Sequence, residues 1–384
     1  MDQLKRYIRG MTPFLLTPPF SFSSSTIESM TNAAGHVLRN NIQYSGTGKT
    51  LSEDRPNGVH LTYSYYAGND RLQSLTETAG TLSRRTHWTY LPTGEVASIT
   101  GAFGTPEATT VYFSYDDASR LVRTTDALGN YMEYQLDTEG NKLTENIFDN
   151  YGLLRKAMHQ TFDVYNRLDV TTQANETMNM DFASDGSLDK QTDGRGTVTE
   201  YTYDTLKRLI NTTQDFNGAD TATQNALIQY NYDVQDNLTQ VTDHINGNTT
   251  YVYDDLGNLL SQTSPDTGAT VFTYDAAGNM ISRTDAKAQS FSFSYDALNR
   301  LTFLDAPGTD DDVTYHFDTC VNGLGLLCQI VYGDGAGGKT VSYDYDGFSR
   351  IIQHQGVNYS YDTASRITGM IYPSGMQVFY HYDA

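Results

Sequence analysis

Cysteine, tryptophan and basic residues are scarce in this sequence. It has two cysteines and one tryptophan, and its 25 lysines and arginines stand against 46 acidic residues. The resulting net charge of −21 argues against DNA, RNA or an anionic membrane as the main partner. Zinc binding would need histidines beside the cysteines, and only His316 lies close to them. The sequence also lacks an apolar run long enough for a transmembrane helix, so we expect no membrane span.

A convincing secretory signal peptide is also missing. The N-terminus begins with a short basic stretch, but the apolar run from Met11 to Leu16 is short and interrupted by proline. We interpret residues 1–25 as a lead or linker. If the chain is secreted or displayed on a bacterial cell surface, we expect a dedicated secretion system or a longer exported protein of which it is a fragment.

What the sequence does contain is an internal repeat. Between Tyr251 and Leu301 the pattern aromatic-x-Tyr-Asp-x-x-(Gly/Asn)-(Asn/Arg)-(Leu/Met) occurs three times, with its aspartates 21 residues apart. The two aromatic residues of each copy are two positions apart, which places their rings on one face of a strand. The aspartate can accept backbone N–H groups two residues on, and glycine and asparagine tolerate positive φ. Each copy therefore predicts two short strands and two turns.

Further copies extend this pattern along most of the chain. Degenerate copies reach from residue 26 to about residue 114, and regular copies occupy residues 115–384. We therefore predict one all-β domain, residues 26–384, in which β-hairpins form a long, curved or spiralling antiparallel sheet, a partial shell or barrel. We expect its buried contacts to be aromatic, and only Thr221 to Ile228 looks weakly helical. The motif positions are Tyr115, Asp116, Tyr203, Asp204, Tyr232, Asp233, Tyr253, Asp254, Tyr274, Asp275, Tyr295, Asp296, Tyr345, Asp346, Tyr361 and Asp362.

These copies resemble the YD repeats of the rearrangement-hotspot (Rhs) family, which also occur in toxin-complex C proteins, wall-associated bacterial proteins and teneurins. The resemblance implies a β-sheet that spirals into a hollow shell around a C-terminal polymorphic toxin, or a large extracellular barrel. Such proteins usually carry an Asp-Pro-x-Gly core segment with self-cleaving aspartates and then a toxin. Neither is found here, and the sequence stops in mid-repeat after Tyr382-Asp383, which suggests a truncated array.

Two local motifs have alternative interpretations. Residues Gly333 to Thr340 match a phosphate-loop pattern, but an alternating strand follows where that loop needs a helix, so we interpret them as a hairpin loop. Cys320 and Cys328 flank a glycine-rich turn and could form a disulfide across a hairpin; the alternative is a reduced, half-buried pair. Rhs relatives contain similar segments, and that resemblance favours a structural role for the pair.

The repeated side chains also allow two interpretations each. An arginine four residues after the motif aspartate predicts a ladder of turn salt bridges, or alternatively a row that binds carbohydrate or carboxylate groups. Stacked tyrosines predict packing between strands, or alternatively a sugar-binding surface. Paired carboxylates, as in a glycosidase, are expected by chance among 46 acidic residues. The arginines at this position are Arg120, Arg167, Arg208, Arg300, Arg350 and Arg366.

The sequence therefore predicts a structural protein rather than an enzyme, with no catalytic, cofactor or metal residues. The expected role is a segment of an Rhs-type shell that encapsulates or presents a toxin, and the expected partners are the remainder of the shell or an enclosed toxin segment. The alternative is an extracellular module that binds glycans or a receptor through a tyrosine-lined surface. A third hypothesis is a carbohydrate-active β-solenoid enzyme.

Overall fold

The computed structural model describes residues 29–31, 37–218, 225–245, 247–308, 311–333 and 338–382. Within these residues the chain forms 32 β-strands. The first eleven are β1 Met30–Thr31, β2 Val37–Tyr44, β3 Thr50–Asp54, β4 His60–Tyr65, β5 Leu72–Ala79, β6 Leu82–Tyr90, β7 Val96–Gly101, β8 Thr109–Tyr115, β9 Leu121–Thr125, β10 Tyr131–Leu136 and β11 Lys142–Phe148. The next eleven are β12 Leu154–Phe162, β13 Leu168–Gln173, β14 Glu176–Phe182, β15 Leu188–Thr192, β16 Val198–Tyr203, β17 Leu209–Gln214, β18 Ala226–Tyr232, β19 Leu238–Thr242, β20 Asn248–Tyr253, β21 Leu259–Ser264 and β22 Gly268–Tyr274. The last ten are β23 Met280–Thr284, β24 Ser290–Tyr295, β25 Leu301–Asp305, β26 Val313–Phe317, β27 Leu327–Tyr332, β28 Lys339–Tyr345, β29 Ile351–His354, β30 Val357–Tyr361, β31 Ile367–Ile371 and β32 Gln377–Phe379.

The strands form one antiparallel meander in which each strand pairs with the next along the sequence. The pairing runs from β1–β2 through β19–β20 to β31–β32. It shifts at β28, where residues 339–342 pair with β27 and residues 343–345 pair with β29. β29 is therefore paired only with the C-terminal part of β28.

The sheet is a single layer for most of its length, because the extensive contacts of each strand are with its neighbours in sequence. In β20 the burial alternates, with Tyr251 and Tyr253 half-buried and Val252 exposed on the opposite face. The same alternation occurs in β18, β22 and β24. We call the face of Tyr251 and Tyr253 the tyrosine face. The opposite face is rich in serine, threonine and asparagine.

Each motif tyrosine lies next to a β-bulge at the end of its strand. In the β20–β21 hairpin, Val252 pairs with Ser261 while Tyr253 pairs with Leu259, so Leu260 is the extra residue. The same register shift precedes Tyr274 and Tyr295. A bulge of this kind increases the local twist of the sheet. Its repetition at every second turn gives the sheet a regular source of curvature.

A compact core is found at the N-terminal end of the sheet. Val59, Leu61 and Ala79 are buried there, and Tyr63, Leu75 and Phe348 pack against them. Most fully buried apolar side chains are aliphatic, so the expectation of an aromatic buried core is wrong. The rings of a single-layer sheet keep one side open, whereas Val59, Leu61 and Ala79 are covered by Phe348 from a distant part of the sheet.

One further expectation needs correction, and others cannot be compared with the structure. Residues Ala226 to Ile228 begin strand β18, so they are not helical; pairing with β17 overrides their weak helical tendency. The predicted lead, residues 1–25, lies outside the described residues, as do Asp383 and the centre of the glycine-rich loop. Among the described residues, no helix is long and apolar enough to cross a membrane.

Candidate functional site

The repeated unit of the structure is a five-residue turn that starts at the motif aspartate, here called the Asp turn. In the turn of Asp254, the carboxylate Oδ1 accepts the backbone N–H groups of Leu256 and Asn258 at 2.9 and 2.8 Å. Its Oδ2 accepts the side-chain amide of Asn258 at 2.9 Å. Gly257, the fourth residue, has φ +81° and donates its N–H to the Asp254 carbonyl. The hydrogen bond from the Asn258 side chain holds the pKa of Asp254 below its usual value.

Where the fifth residue is arginine, it also connects neighbouring Asp turns. Arg300 bonds Asp296 of its own turn at 2.7 Å and Asp318 of the next at 2.6 Å. Its guanidinium carbon also lies 4.4 Å from the ring centroid of Phe317. An ion pair with the aspartate four residues earlier, in the same turn, is also formed by Arg120, Arg167, Arg208, Arg350 and Arg366. The salt-bridge ladder therefore exists in the structure, and these guanidinium groups already have partners.

Motif tyrosines connect each hairpin to the one before it. The hydroxyl of Tyr274 donates to the carbonyl of Leu259 at 3.0 Å, and Tyr295 donates to Met280 at 2.9 Å. Burial raises the pKa of both phenols. In both bonds the acceptor is the first residue after the preceding Asp turn. A bond to the first residue after an earlier turn on the same side of the sheet is also formed by Tyr65, Tyr90, Tyr115, Tyr232, Tyr345, Tyr361 and Tyr382.

The strongest candidate for a functional site is a contact between the two ends of the sheet, which we call the seam. At the seam the Asp turn of residues 346–350 packs against the edge formed by the turns β3–β4 and β5–β6. Phe348 contacts the cluster of Val59, Leu61 and Ala79. Asn57 donates to Ser349 at 3.2 Å across a separation of 292 residues. A side chain on Gly347 would clash with the Ala79 methyl group.

The next Asp turn, residues 362–366, continues the seam along the same edge. Arg84 donates to Ser365 at 3.3 Å, and its guanidinium lies 4.7 Å from the Phe348 ring centroid. Thr363 donates to Glu107 at 2.7 Å, in the turn between β7 and β8. This hydrogen bond holds the pKa of Glu107 below its usual value. The sheet therefore curves so that its last two described Asp turns, residues 346–350 and 362–366, pack on the turns that connect β3 to β4, β5 to β6 and β7 to β8.

Cys320 and Cys328 lie in a longer turn on the same edge as the Asp turns. Their sulfur atoms are joined, with Cα atoms 5.4 Å apart. A Cβ at Gly323 would clash with both sulfur atoms, so only glycine fits there. Asn322 donates to the Tyr345 carbonyl at 3.0 Å, which connects this turn to the strand that leads into the seam. We propose a structural disulfide on this geometry.

The glycine-rich segment that matches a phosphate loop is followed by strand β28 from Lys339 onward. The helix N-terminus that such a loop uses to hold phosphate is therefore replaced by a strand. Among the described residues, no group of three or more His, Cys, Asp or Glu side chains is arranged to hold a metal ion.

An open groove of about 770 Å³ lies on strands β11 to β13 and is lined by Leu154, Arg155, Lys156 and His159. Arg155 forms an ion pair of 2.6 Å with Asp149 in the adjacent turn. Sequence reasoning did not find this groove, because none of its lining residues is at a motif position.

Comparison with known proteins gives a family for the central repeats. A family model described as RHS Repeat matches residues 232–269, 253–290 and 274–307. Residues 232–307 therefore contain RHS repeats. A comparison with curated protein sequences gives no match.

Several solved structures similar to this chain belong to toxin complexes. The crystal structure of TcdB2-TccC3 matches with 16% identity and a TM-score of 0.46, over 90% of this chain and 21% of that one. The Tc holotoxin pore of Photorhabdus luminescens, with a mutated TccC3, matches with the same identity, TM-score and coverage. The crystal structure of TcdB2-TccC3-TEV gives 15% identity and 0.43, over 91% and 22%. This chain therefore spans about a fifth of the length of the solved chains.

Proposed function

We propose that the chain is a wall segment of an RHS-type shell that surrounds or presents a polypeptide, and that it acts as a scaffold rather than an enzyme. The observation that carries this proposal is the seam, because a single-layer sheet whose end stacks on its own beginning is a coil. The RHS repeats of residues 232–307 support the same interpretation. We further propose that the chain works outside the producing cell, as a secreted or surface-displayed component.

The tyrosine face supplies the surface that would meet the enclosed polypeptide. On this face Tyr251 lies opposite Gln262 on the neighbouring strand, and Phe272 lies opposite Arg283. Phe293 lies opposite Leu304. Apolar rings interrupted by a few polar groups suit an extended chain with no fixed sequence, since both its side chains and its backbone find partners there. The opposite face presents mainly hydroxyl and amide groups to solvent.

The competing proposal is a glycan- or receptor-binding module, which would use the same rings. It is favoured by the half-buried state of Tyr251, whose ring stays partly open to solvent. It is disfavoured by the neighbouring tyrosines of the motif, because the hydroxyls of Tyr274 and Tyr295 already donate to backbone carbonyls. Those hydroxyls are therefore not free to donate a hydrogen bond to a sugar.

Binding measurements with two probes separate these proposals. The first probe is a reduced, carboxymethylated protein that stays unfolded, and the second is a glycan array. We expect the unfolded protein to bind, and expect a variant with Tyr251→Ser, Phe272→Ser and Phe293→Ser to lose that binding.

The matched control carries Val252→Ser and Val271→Ser on the opposite face and should bind like the native chain. Glycan binding that depends on Tyr251, with no binding of the unfolded protein, would replace the shell proposal by the glycan-binding one. Turnover of any polysaccharide would overturn the proposal that the chain is not an enzyme.

A further inference from the structure

Both edges of the coil expose apolar side chains at their turns. We call the edge with the Asp turns the Asp-turn edge, and the edge with the alternate turns the opposite edge. The third residue of an Asp turn is Phe348 at the seam, where it packs on the buried cluster. At the same position Tyr165, Leu206 and Leu256 are 75%, 68% and 85% exposed. These three side chains therefore lack the packing partner that Phe348 has.

The opposite edge also has a turn that is buried at the seam and a turn that is exposed beyond it. At the seam, Val59 is the last residue of the turn that starts at Arg55, and it is 3% exposed. Leu153 ends the equivalent turn that starts at Asp149, and it is 55% exposed. Tyr151 in the same turn is 91% exposed. Among the described residues, the last printed contact of the seam along the opposite edge is that of Glu107 with Thr363, and Tyr151 and Leu153 lie beyond it.

We propose that these edges bind each other in two copies of this chain, with the Asp-turn edge of one copy on the opposite edge of the other. The residues concerned are Tyr165, Leu206 and Leu256 on the first edge, and Tyr151 and Leu153 on the second. The seam provides the template, because it joins the same two kinds of turn within one chain. The new contact continues an interface that the fold already contains.

The geometry makes this association head-to-tail. One copy uses its Asp-turn edge and leaves its opposite edge free, so a third copy can add in the same way. The net charge of −21 on each copy opposes the contact. Salt screens this repulsion, so added salt should strengthen the association. The inference rests on the seam and not on the tyrosine face, so it can fail while the shell proposal stands.

Sedimentation of the full chain over a range of concentrations tests this proposal. We expect mass to increase with protein concentration, and more so at high salt. Variant one carries Tyr165→Ser, Leu206→Ser and Leu256→Ser; variant two carries Tyr151→Ser and Leu153→Ser. Each alone should associate at least about tenfold more weakly, since buried aromatic and aliphatic anchors dominate such contacts.

Mixing the two variants provides the sharpest result. Each retains one intact edge, so an equimolar mixture should form one-to-one dimers and nothing larger. The control carries Val252→Ser and Val271→Ser on the sheet face, and should associate like the native chain; circular dichroism confirms that every variant folds. A native chain that stays monomeric at all concentrations overturns the proposal. The proposal is also overturned if the native chain does not bind itself but binds a different RHS-repeat chain. A mixture that fails to dimerise also overturns it.

Discussion

The phenol of Tyr274 donates a hydrogen bond of 3.0 Å to the backbone carbonyl of Leu259, the first residue after the preceding Asp turn. This bond connects one repeat to the next without using the strand ladder. We expect Tyr274→Phe to lower the free energy of unfolding by about 1 kcal/mol, the net value of such a bond. Urea denaturation measures the change.

Tyr251→Phe is the matched control, because the Tyr251 hydroxyl has no hydrogen-bond partner among the described residues. It should leave the free energy of unfolding unchanged. Equal losses in the two variants would show that the Tyr274 hydroxyl does not connect the repeats.

Much of this fold could be predicted from the sequence, because its information is local and repeated. Alternating aromatic residues predicted the strands, and Asp-x-x-Gly-Asn predicted the turn with its carboxylate hydrogen bonds. The tyrosine bond was not predicted. The motif position is tyrosine in Tyr274 and Tyr295, but Leu136, Phe162 and Phe317 occupy it in other copies, so the motif alone does not indicate that its hydroxyl has a partner.

The seam could not be predicted, because it depends on the pitch of the whole coil. Nothing near Phe348 in the sequence indicates that its ring packs on the cluster of Val59, Leu61 and Ala79, and the same turn position is a solvent-exposed Leu256 elsewhere. Small changes of twist accumulate over the intervening strands, and the total twist decides which turns meet. The repeat pattern of the sequence does not specify that total twist.

Acid should destabilise the array through its aspartates. Hydrogen bonds from the Asn258 and Asn279 side chains lower the pKa of Asp254 and Asp275 below 3.8. A lowered folded pKa gives stability that is complete above the unfolded value of 3.8 and is lost as the pH falls through the folded value. We therefore expect the urea midpoint to be constant near neutral pH and to fall below about pH 4.

Asp275→Asn tests this explanation. Its side chain does not titrate and places an amide where Asn279 needs an acceptor, so stability at neutral pH should fall while the dependence on acid becomes shallower. If the variant keeps the acid dependence of the native chain, other groups cause the acid loss.

The fourth position of the Asp turn should prefer glycine. Lys207 has φ +66° there, and Gly257 has φ +81° at the same position. Side chains other than glycine cost roughly 1 kcal/mol in this conformation. Lys207→Gly should therefore raise the free energy of unfolding by up to about 1 kcal/mol, although it removes an exposed ion pair with Asp185 that contributes little.

The reciprocal change, Gly257→Ala, should lower the free energy of unfolding by about the same amount. Thermal melting of both variants gives the signs directly. Two changes of the same sign would contradict the assignment of this position as left-handed.

The proposed disulfide between Cys320 and Cys328 should stabilise its turn. Closing so short a loop is worth about 2–3 kcal/mol in the chain-entropy model. We expect mass spectrometry to show no free thiol in the purified chain, and expect a reductant to lower the melting temperature. A Cys320→Ser, Cys328→Ser variant should melt at the temperature of the reduced chain and not respond to reductant. Two free thiols in protein purified without reductant would contradict the disulfide.

The seam should appear as an energetic coupling between residues far apart in sequence. Leu61 is fully buried and packs in the cluster that Phe348 contacts. Leu61→Ala should cost about 3 kcal/mol, and Phe348→Ala about 2 kcal/mol because its ring is only half-buried. Since the side chains share one cluster, the double variant should lose less than the sum, with a coupling of at least about 0.5 kcal/mol.

Phe272 provides the control for this cycle, because it lies on the tyrosine face away from the seam. Leu61→Ala combined with Phe272→Ala should be additive within about 0.5 kcal/mol. Small-angle X-ray scattering gives an independent measure, since Phe348→Asp places a charge against Val59 and should separate the two ends. An additive Leu61–Phe348 pair and an unchanged radius of gyration in Phe348→Asp would mean that the ends do not meet in solution. The coil, and with it the proposed shell, would then lose its main support.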